Sequence, residues 1–397
     1  PLDTQVLFEK IDAKGYKNIS QIPDKNRQQE DDSISENCSF QSQSLATNIN
    51  STFLFKIKVE DKPVLLQITG NTVLSREEII NSDEIQSVMQ RIEGQNLTSE
   101  QFEEIYTEIV NAITQVYIKE GYITSKAIRQ ELLTINEDDA IEIPVSEGRL
   151  EEINIAGRRR LTLSYLCNRI ALGISSPFNI IKLEEQLRLL QRNPLLKTVQ
   201  ASLKDSGKPS FSILLVSIQE AKPFSSNLSV DNYSPPSIGS ERLGIELRYR
   251  NVTGLGDEIS GVYYHSTTGG ANILDIIYRI PLNPMEGMLQ LRATPNWTKI
   301  TESSLEKFNI TGNEQVYEIS YRQPLVRTLQ EEFALSLGFR YQDGRTFVFD
   351  QPVFFGHSRT SVIQFGQDYI HRDTEGIWFL RSQFNFGTGL FNPTTNE

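Results

Sequence analysis

Residues 223 to 257 read PFSSNLSVDNYSPPSIGSERLGIELRYRNVTGLGD, and the fold turns on how this stretch is taken. Before it, helical and strand patterns are mixed; after it, strand patterns of about ten residues follow one another to the end. Within it, Leu243, Ile245, Leu247 and Tyr249 alternate with Gly244, Glu246, Arg248 and Arg250, an apolar face against a charged one at period two. A soluble sheet would wet the charged face from outside. A membrane barrel inverts this, turning the apolar face to lipid and the charged face to a wet lumen. Alternation alone leaves both readings open.

Composition narrows the field. At 397 residues, with 38% hydrophobic and 23% charged content, the chain reads as ordered and multidomain. It contains no run of about 18 uncharged apolar residues, so no transmembrane helix is expected, and closed barrels need none. The formal charge of -12 argues against a nucleic-acid partner, and Arg158-Arg159-Arg160 is too short to reverse that. Only Cys38 and Cys167 occur, far apart and without a CxxC or a His cluster, which predicts neither a disulfide framework nor a zinc site. His265, His357 and His371 lie in separate segments without HExxH, GxSxG or P-loop spacing, and pairs such as Glu103-Glu104 read as solvated charge. No enzyme, metal or cofactor is expected.

Residues 1–52 read as a polar leader and linker, with a weak helix at most around Val6, Leu7 and Ile11. A compact α+β pattern fills 53–149. Ser75 with Glu78, and Thr98 with Gln101, have capping-box spacing. They predict one helix running to near Gly94 and a second with Phe102, Ile105, Tyr106, Ile109, Ile113, Val116 and Tyr117 along one face. GYITSKAIR and AIEIPVSEG then read as strands. The order recurs over 150–222. Ile68-x-Gly70-x-x-x-Leu74 is matched by Ile155-x-Gly157-x-x-x-Leu161, and Ile143-x-Val145-x-Glu147 by Val216-x-Ile218-x-Glu220. Two copies of one module stand in tandem.

From 223 to 397 about nine strands are expected, from SSNLSVDN to GIWFLRSQFNFGTG. Short turns such as GLGDE and PLNPMEG alternate with links that include the long KITESSLEKFNITGN and GRTFVFDQPVFFGHS, the asymmetry of an outer-membrane barrel.

ITGNTVLS (68–75), the following GYITSKA and VSEGRLEEINIAG, the repeat with LEEQLRLLQRNP, and VDNYSPPSIGSERLGIELRYRNVTGLGDEISG resemble the two-partner secretion transporters, or haemolysin activation/secretion proteins, of the Omp85 superfamily. The resemblance implies two periplasmic POTRA modules and an all-β transmembrane barrel in the bacterial outer membrane. It implies a monomeric pore, with lipid around it, that takes an unfolded secreted exoprotein (an adhesin or haemolysin) across that membrane. Residues 1–52 stand where the family carries a plug helix and linker. Strand addition to an edge of the first module would recruit the partner, with Tyr122, Ile123, Thr124, Ser125, Lys126 and Ala127 as the candidate edge. Glu246, Arg248, Arg250, Asp275, Arg279, Arg322 and Arg340 would line the lumen. The family is described with sixteen strands and an inward loop marked VRGY, so the sequence is expected to be a fragment cut in an outer loop. An insertase of the same superfamily and a soluble β-rich binding protein with a sandwich fold are the competing expectations.

Overall fold

The computed structural model describes residues 36–38, 52–130 and 140–394. The helix expected around Val6, Leu7 and Ile11 lies outside the described residues. The first described element is a short strand, β1 (Glu36–Cys38).

In the first module β2 (Thr52–Val59) and β3 (Lys62–Thr69) form an antiparallel hairpin, turning through Glu60 and Asp61 at positive φ. Helices α1 (Arg76–Ile80), α2 (Asp83–Ile92) and α3 (Ser99–Lys119) follow, then β4 (Lys126–Ala127) and β5 (Ile141–Ser146). The sheet order is β2-β3-β5-β4, with β3 parallel to β5. Both capping boxes form, Ser75 with Glu78 and Thr98 with Gln101. The single helix expected up to Gly94 is two helices: Asn81 ends α1 and Ser82 caps α2 by accepting from the Ile85 N–H. Asn-Ser-Asp supplies residues that favour caps over helix interiors, so the break is local chemistry. Along α3, Phe102, Tyr106, Ile109, Ile113, Val116 and Tyr117 are buried and Ile105 packs beside them half-buried.

The strand expected over GYITSKAIR shrinks to Lys126–Ala127. Gly121 sits at φ 89, and the Tyr122 and Ser125 N–H groups donate to Tyr117 O and Tyr122 O, so Tyr122 to Ser125 are spent on a turn.

The second module contains β6 (Arg149–Ala156), α4 (Leu163–Ala171), α5 (Ile180–Gln191), β7 (Leu196–Asp205) and β8 (Phe211–Glu220). Its sheet order is β1-β6-β8-β7, with β6 parallel to β8 and β1 antiparallel to β6. This is the first module's plan again, including an added antiparallel strand on the first core strand. Cys38 and Cys167 are both disulfide-bonded, against expectation. Separation along the chain misled, because Cys38 lies on a strand that joins a sheet built much later.

The third region is one nine-stranded antiparallel meander: β9 (Phe224–Asp231), β10 (Arg242–Arg250), β11 (Glu258–Ser266), β12 (Ala271–Pro281), β13 (Met288–Lys299), β14 (Thr311–Arg327), β15 (Glu331–Val348), β16 (Gln351–Arg372) and β17 (Ile377–Gly387). Each strand pairs with its sequence neighbours, and β9 and β17 form the two ends of the described sheet. A single sheet is not a sandwich, so the soluble two-layer expectation fails. GRTFVFDQPVFFGHS is not an open loop either. It continues β15 and β16, which pair up to Val348↔Gln351 and turn through Phe349 and Asp350 at positive φ. Its Thr, Val and Phe content keeps it extended.

Two compact units emerge: Pro1–Gly157 with Ile170–Leu187 and Val199–Ile218, and Arg158–Arg169 with Arg188–Thr198 and Gln219–Glu397. The turn after β6, most of α4 and the α5–β7 connection thus pack as part of the same unit as the large sheet.

Candidate functional site

The sequence repeat marks one device built twice. Gly70 and Gly157 both take positive φ, 79 and 84, and a Cβ on either would collide with a facing carbonyl, Val145 O or Ile218 O. Those carbonyls belong to the second residue of each Ile/Val-x-Val/Ile-x-Glu mark. The glutamate that closes the mark then collects the N–H groups of the strand-to-helix turn. Glu147 accepts from Thr72 N at 2.6 Å and Val73 N at 3.2 Å. Glu220 accepts from Arg159 N, Arg160 N and Leu161 N at 2.8, 2.8 and 3.0 Å. Burial works to raise the Glu220 carboxyl, but the three backbone donors and Arg160 outweigh it and hold it below the usual carboxylate range. In the first module Tyr117 donates its hydroxyl to Glu147 at 3.2 Å, and burial followed by that charge pushes the phenol above its usual range.

A second construction lies within the unit that holds the large sheet. The NVTGLGD turn is closed on itself: Asp257, fully buried, accepts from Thr253 N at 2.9 Å and from the Tyr278 hydroxyl at 2.8 Å, and Asn251 accepts from Gly256 N at 3.1 Å. Its glycines then meet the end of the second module. Gly254 O accepts from Thr162 N at 2.9 Å, and a Cβ on Gly256 would strike the Tyr165 ring. The next turn on this side, PLNPMEG, supplies Glu286, which pairs with buried Arg169 at 2.9 Å. Arg169 in turn stacks over Tyr165 at 3.6 Å, and the Tyr165 hydroxyl accepts from Asn193 at 2.8 Å. Both short turns therefore contact residues between Thr162 and Arg169 as well as reversing the chain.

The sheet itself sorts its side chains by register. Arg248 lies opposite Ser260, Ser260 opposite Ile277, then Arg292, Glu318 and Arg340 in succession. The adjacent rows run Arg250, Glu258, Arg279, Gln290 and Glu246, Val262, Asp275. By this propagation all seven residues read as lumenal from sequence occupy one face of the sheet. Ion pairs tie the rows across strands. Glu258 meets Arg250 at 3.1 Å and Arg279 at 3.2 Å, Asp275 meets Arg292 at 2.8 Å, and Asp368 meets Arg322 at 3.1 Å and Arg381 at 2.7 Å. Gly338 and Gly366 lie among these long side chains and leave them room to cross strands. Glu258, Arg292, Asp368 and Arg381 were not singled out from sequence. Their signal is shared parity on neighbouring strands, which becomes readable only once register is known.

The opposite face carries Leu243, Ile245, Leu247 and Tyr249, between 40% and 53% exposed, continued by Ile259, Ile276, Leu291, Ile319 and Leu337. From residue 223 onward the buried apolar side chains among the described residues are only Ala271, Pro281, Pro324 and Ala334. A sheet with this much exposed apolar surface and no core of its own is built for lipid.

Of the candidate recruiting edge, Lys126–Ala127 is strand and lies at the sheet margin, pairing with Ser146 and Val145, whereas Tyr122 to Ser125 are turn. The Ala127 N–H donates to Thr114 Oγ1 at 3.1 Å, so that donor is already engaged.

Comparison with known proteins agrees with this arrangement. Residues 211–397 match the family model for haemolysin secretion/activation proteins of the ShlB/FhaC/HecB type, and residues 67–148 match the ShlB-type POTRA domain. Over both stretches the chain is similar to haemolysin secretion/activation proteins of the ShlB type. It is 22% identical over 304 residues to the outer membrane transporter CdiB of Escherichia coli, covering 73% of this chain and 49% of that protein. It is 27% identical over 182 residues to the heme/hemopexin transporter HuxB of Haemophilus influenzae, covering 45% of this chain and 31% of that protein. The chain thus spans about half the length, or less, of these curated relatives. Among solved structures, CdiB from Escherichia coli aligns with a TM-score of 0.60 at 19% identity over 89% of this chain and 63% of that one. CdiB from Acinetobacter baumannii aligns at 0.52 and 15% identity, over 88% and 66%. These likenesses show the fold. The nine strands are an outer-membrane barrel region, residues 67–148 are a periplasmic POTRA domain, and the second module repeats that domain's sheet order. Disulfide-bonded cysteines suit that oxidising compartment.

Proposed function

We propose that this protein recognises an unfolded secreted partner in the periplasm through its POTRA modules and passes it outward through the barrel lumen. The observation that carries the reading is the sorting of the sheet. One face is apolar and exposed, and the other holds Glu246, Arg248, Arg250, Asp275, Arg279, Arg322 and Arg340 among cross-strand carboxylates. Paired charges of both signs keep such a wall wet without giving an extended chain a strong place to stop. Recruitment by strand addition uses main-chain hydrogen bonds, which suits a partner that is unfolded and variable in sequence. The relatives' names, an outer membrane transporter and a heme/hemopexin transporter, support a transport role. No step in this proposal is catalytic.

The test is co-expression with a secreted partner encoded beside the gene, using full-length protein and a variant lacking residues 53 to 150. Secretion is expected to stop in the variant while the barrel still fractionates with outer membranes. Undiminished secretion would contradict recruitment by the first module, and recovery of the full-length protein in the soluble fraction would contradict the pore.

A further inference from the structure

Strand β15 measures where the membrane ends. On its apolar face Phe333, Leu335, Leu337, Phe339 and Tyr341 span nine residues, the length a transmembrane strand needs. Tyr341 lies opposite Tyr317 on β14, an aromatic pair of the kind that sits at a membrane–water interface. The PLNPMEG turn, on the periplasmic side, leads into Met288, which lies opposite Arg322 near the β14–β15 turn, so Tyr341 is at the outer boundary.

Beyond this boundary the same face changes character. Asp343 and Arg345 follow two and four residues after Tyr341, and Arg359 and His357 lie opposite them on β16. At about 3.3 Å per residue along a tilted strand, both rungs fall at the level of the lipid headgroups. Asp343 gathers three basic groups: Arg359 Nε at 3.1 Å, His357 Nε2 at 3.1 Å and Arg345 Nε at 3.4 Å. One carboxylate against two guanidinium groups leaves the cluster positive even with a neutral imidazole. Both arginines meet Asp343 through Nε, and no hydrogen bond among the described residues engages their terminal nitrogens. The Arg345 side chain is 54% exposed. Its row continues through Asn313 to Trp297, an exposed ring on the same face.

We infer that Arg345 and Arg359, set by Asp343 beside His357, bind the phosphate of a glycolipid in the outer leaflet. A guanidinium fork matches phosphate oxygens, stays charged and lays its apolar stem along the barrel while its head reaches outward. Asp343 takes Nε from each arginine, which leaves the terminal nitrogens for the ligand. Trp297 supplies an amphipathic ring where acyl chains meet sugar. A zwitterionic headgroup would gain less, because its own cation opposes the cluster. Lipid binding here is independent of any passage of a partner through the lumen.

The test is native mass spectrometry of the full-length protein in detergent, titrated with bisphosphorylated lipid A, phosphatidylethanolamine or inorganic phosphate. The wild type is expected to bind lipid A about tenfold more tightly than phosphatidylethanolamine, and Arg345→Gln with Arg359→Gln to lose that preference. Arg345→Lys with Arg359→Lys should keep most of it. Removal of the same charge from the first module, Arg91→Gln with Arg129→Gln, should leave it unchanged. Heat-modifiable migration on gels checks that each barrel is folded; should the glutamine pair fail to fold, Arg345→Gln alone is expected to weaken lipid A about threefold. Undiminished preference in the folded glutamine variant would overturn the site. So would equal loss in the first-module variant, which would reduce the effect to net charge, or full displacement of lipid A by equimolar inorganic phosphate, which would make it a free-anion site. None of these results bears on whether the barrel secretes a partner.

Discussion

The first module and the barrel region use the same apolar residue types and dispose of them in opposite ways. In the module, Phe102, Tyr106, Ile109, Ile113 and Tyr117 are fully buried against β3 and β5, and polar groups face outward. In the barrel region Leu228, Leu247, Ile319 and Leu337 are exposed, and charged groups pair with one another on the other face. A helix stripe and a strand face therefore carry equivalent apolar chemistry but require different solvents. Hydrophobicity alone does not say which side of a protein is inside; the presence or absence of a second layer does.

Substitutions can break this comparison at graded cost. The largest effect is expected in the module core. Phe102→Ala should remove about 3–5 kcal/mol by leaving a cavity, read as loss of protection in β3 and β5 with the barrel still heat-modifiable on gels. On the lipid face, Leu247→Arg should cost about 2–4 kcal/mol of barrel stability if it sits near the bilayer midplane. Its neighbour Arg248→Leu, on the opposite face, should leave insertion intact; equal damage from both would erase the distinction between the faces. A smaller effect is expected at the second strand-to-helix turn, where Glu220→Gln should cost about 1–3 kcal/mol by weakening three backbone partners. The folded Glu220 carboxyl lies below its unfolded value, so its contribution is present above about pH 4.3 and is lost as pH falls through the folded value. Acid unfolding of the second module should accordingly be shallower in the variant than in wild type.

Much of this was legible in the residues. Capping boxes are local, so Ser75 with Glu78 and Thr98 with Gln101 could be read directly. Period-two alternation located all nine barrel strands, since each strand advertises its two faces independently. The Gly and Glu marks revealed the repeat, though not its cause, which is a carbonyl approaching the glycine and a carboxylate collecting turn amides. What failed depended on distant partners. The strand at Tyr122 to Ala127 was cut to two residues by local turn hydrogen bonds, and the disulfide cysteines and β1 involve a leader segment whose own sequence has no strand pattern. That the seven charged residues share one face of the sheet was readable by parity, while Glu258 and Asp368, which pair with several of them, required register between strands.

The central claim, that the charged face of the sheet is wet and the apolar face meets lipid, is tested most directly by cysteine scanning along β10. Single cysteines at positions 245 to 250 would be labelled in intact outer membranes with a small, charged, membrane-impermeant maleimide; the native cysteines, being disulfide-bonded, stay silent. The account predicts reaction at Glu246, Arg248 and Arg250 and protection at Ile245, Leu247 and Tyr249. Uniform labelling, or labelling with the opposite parity, would contradict it.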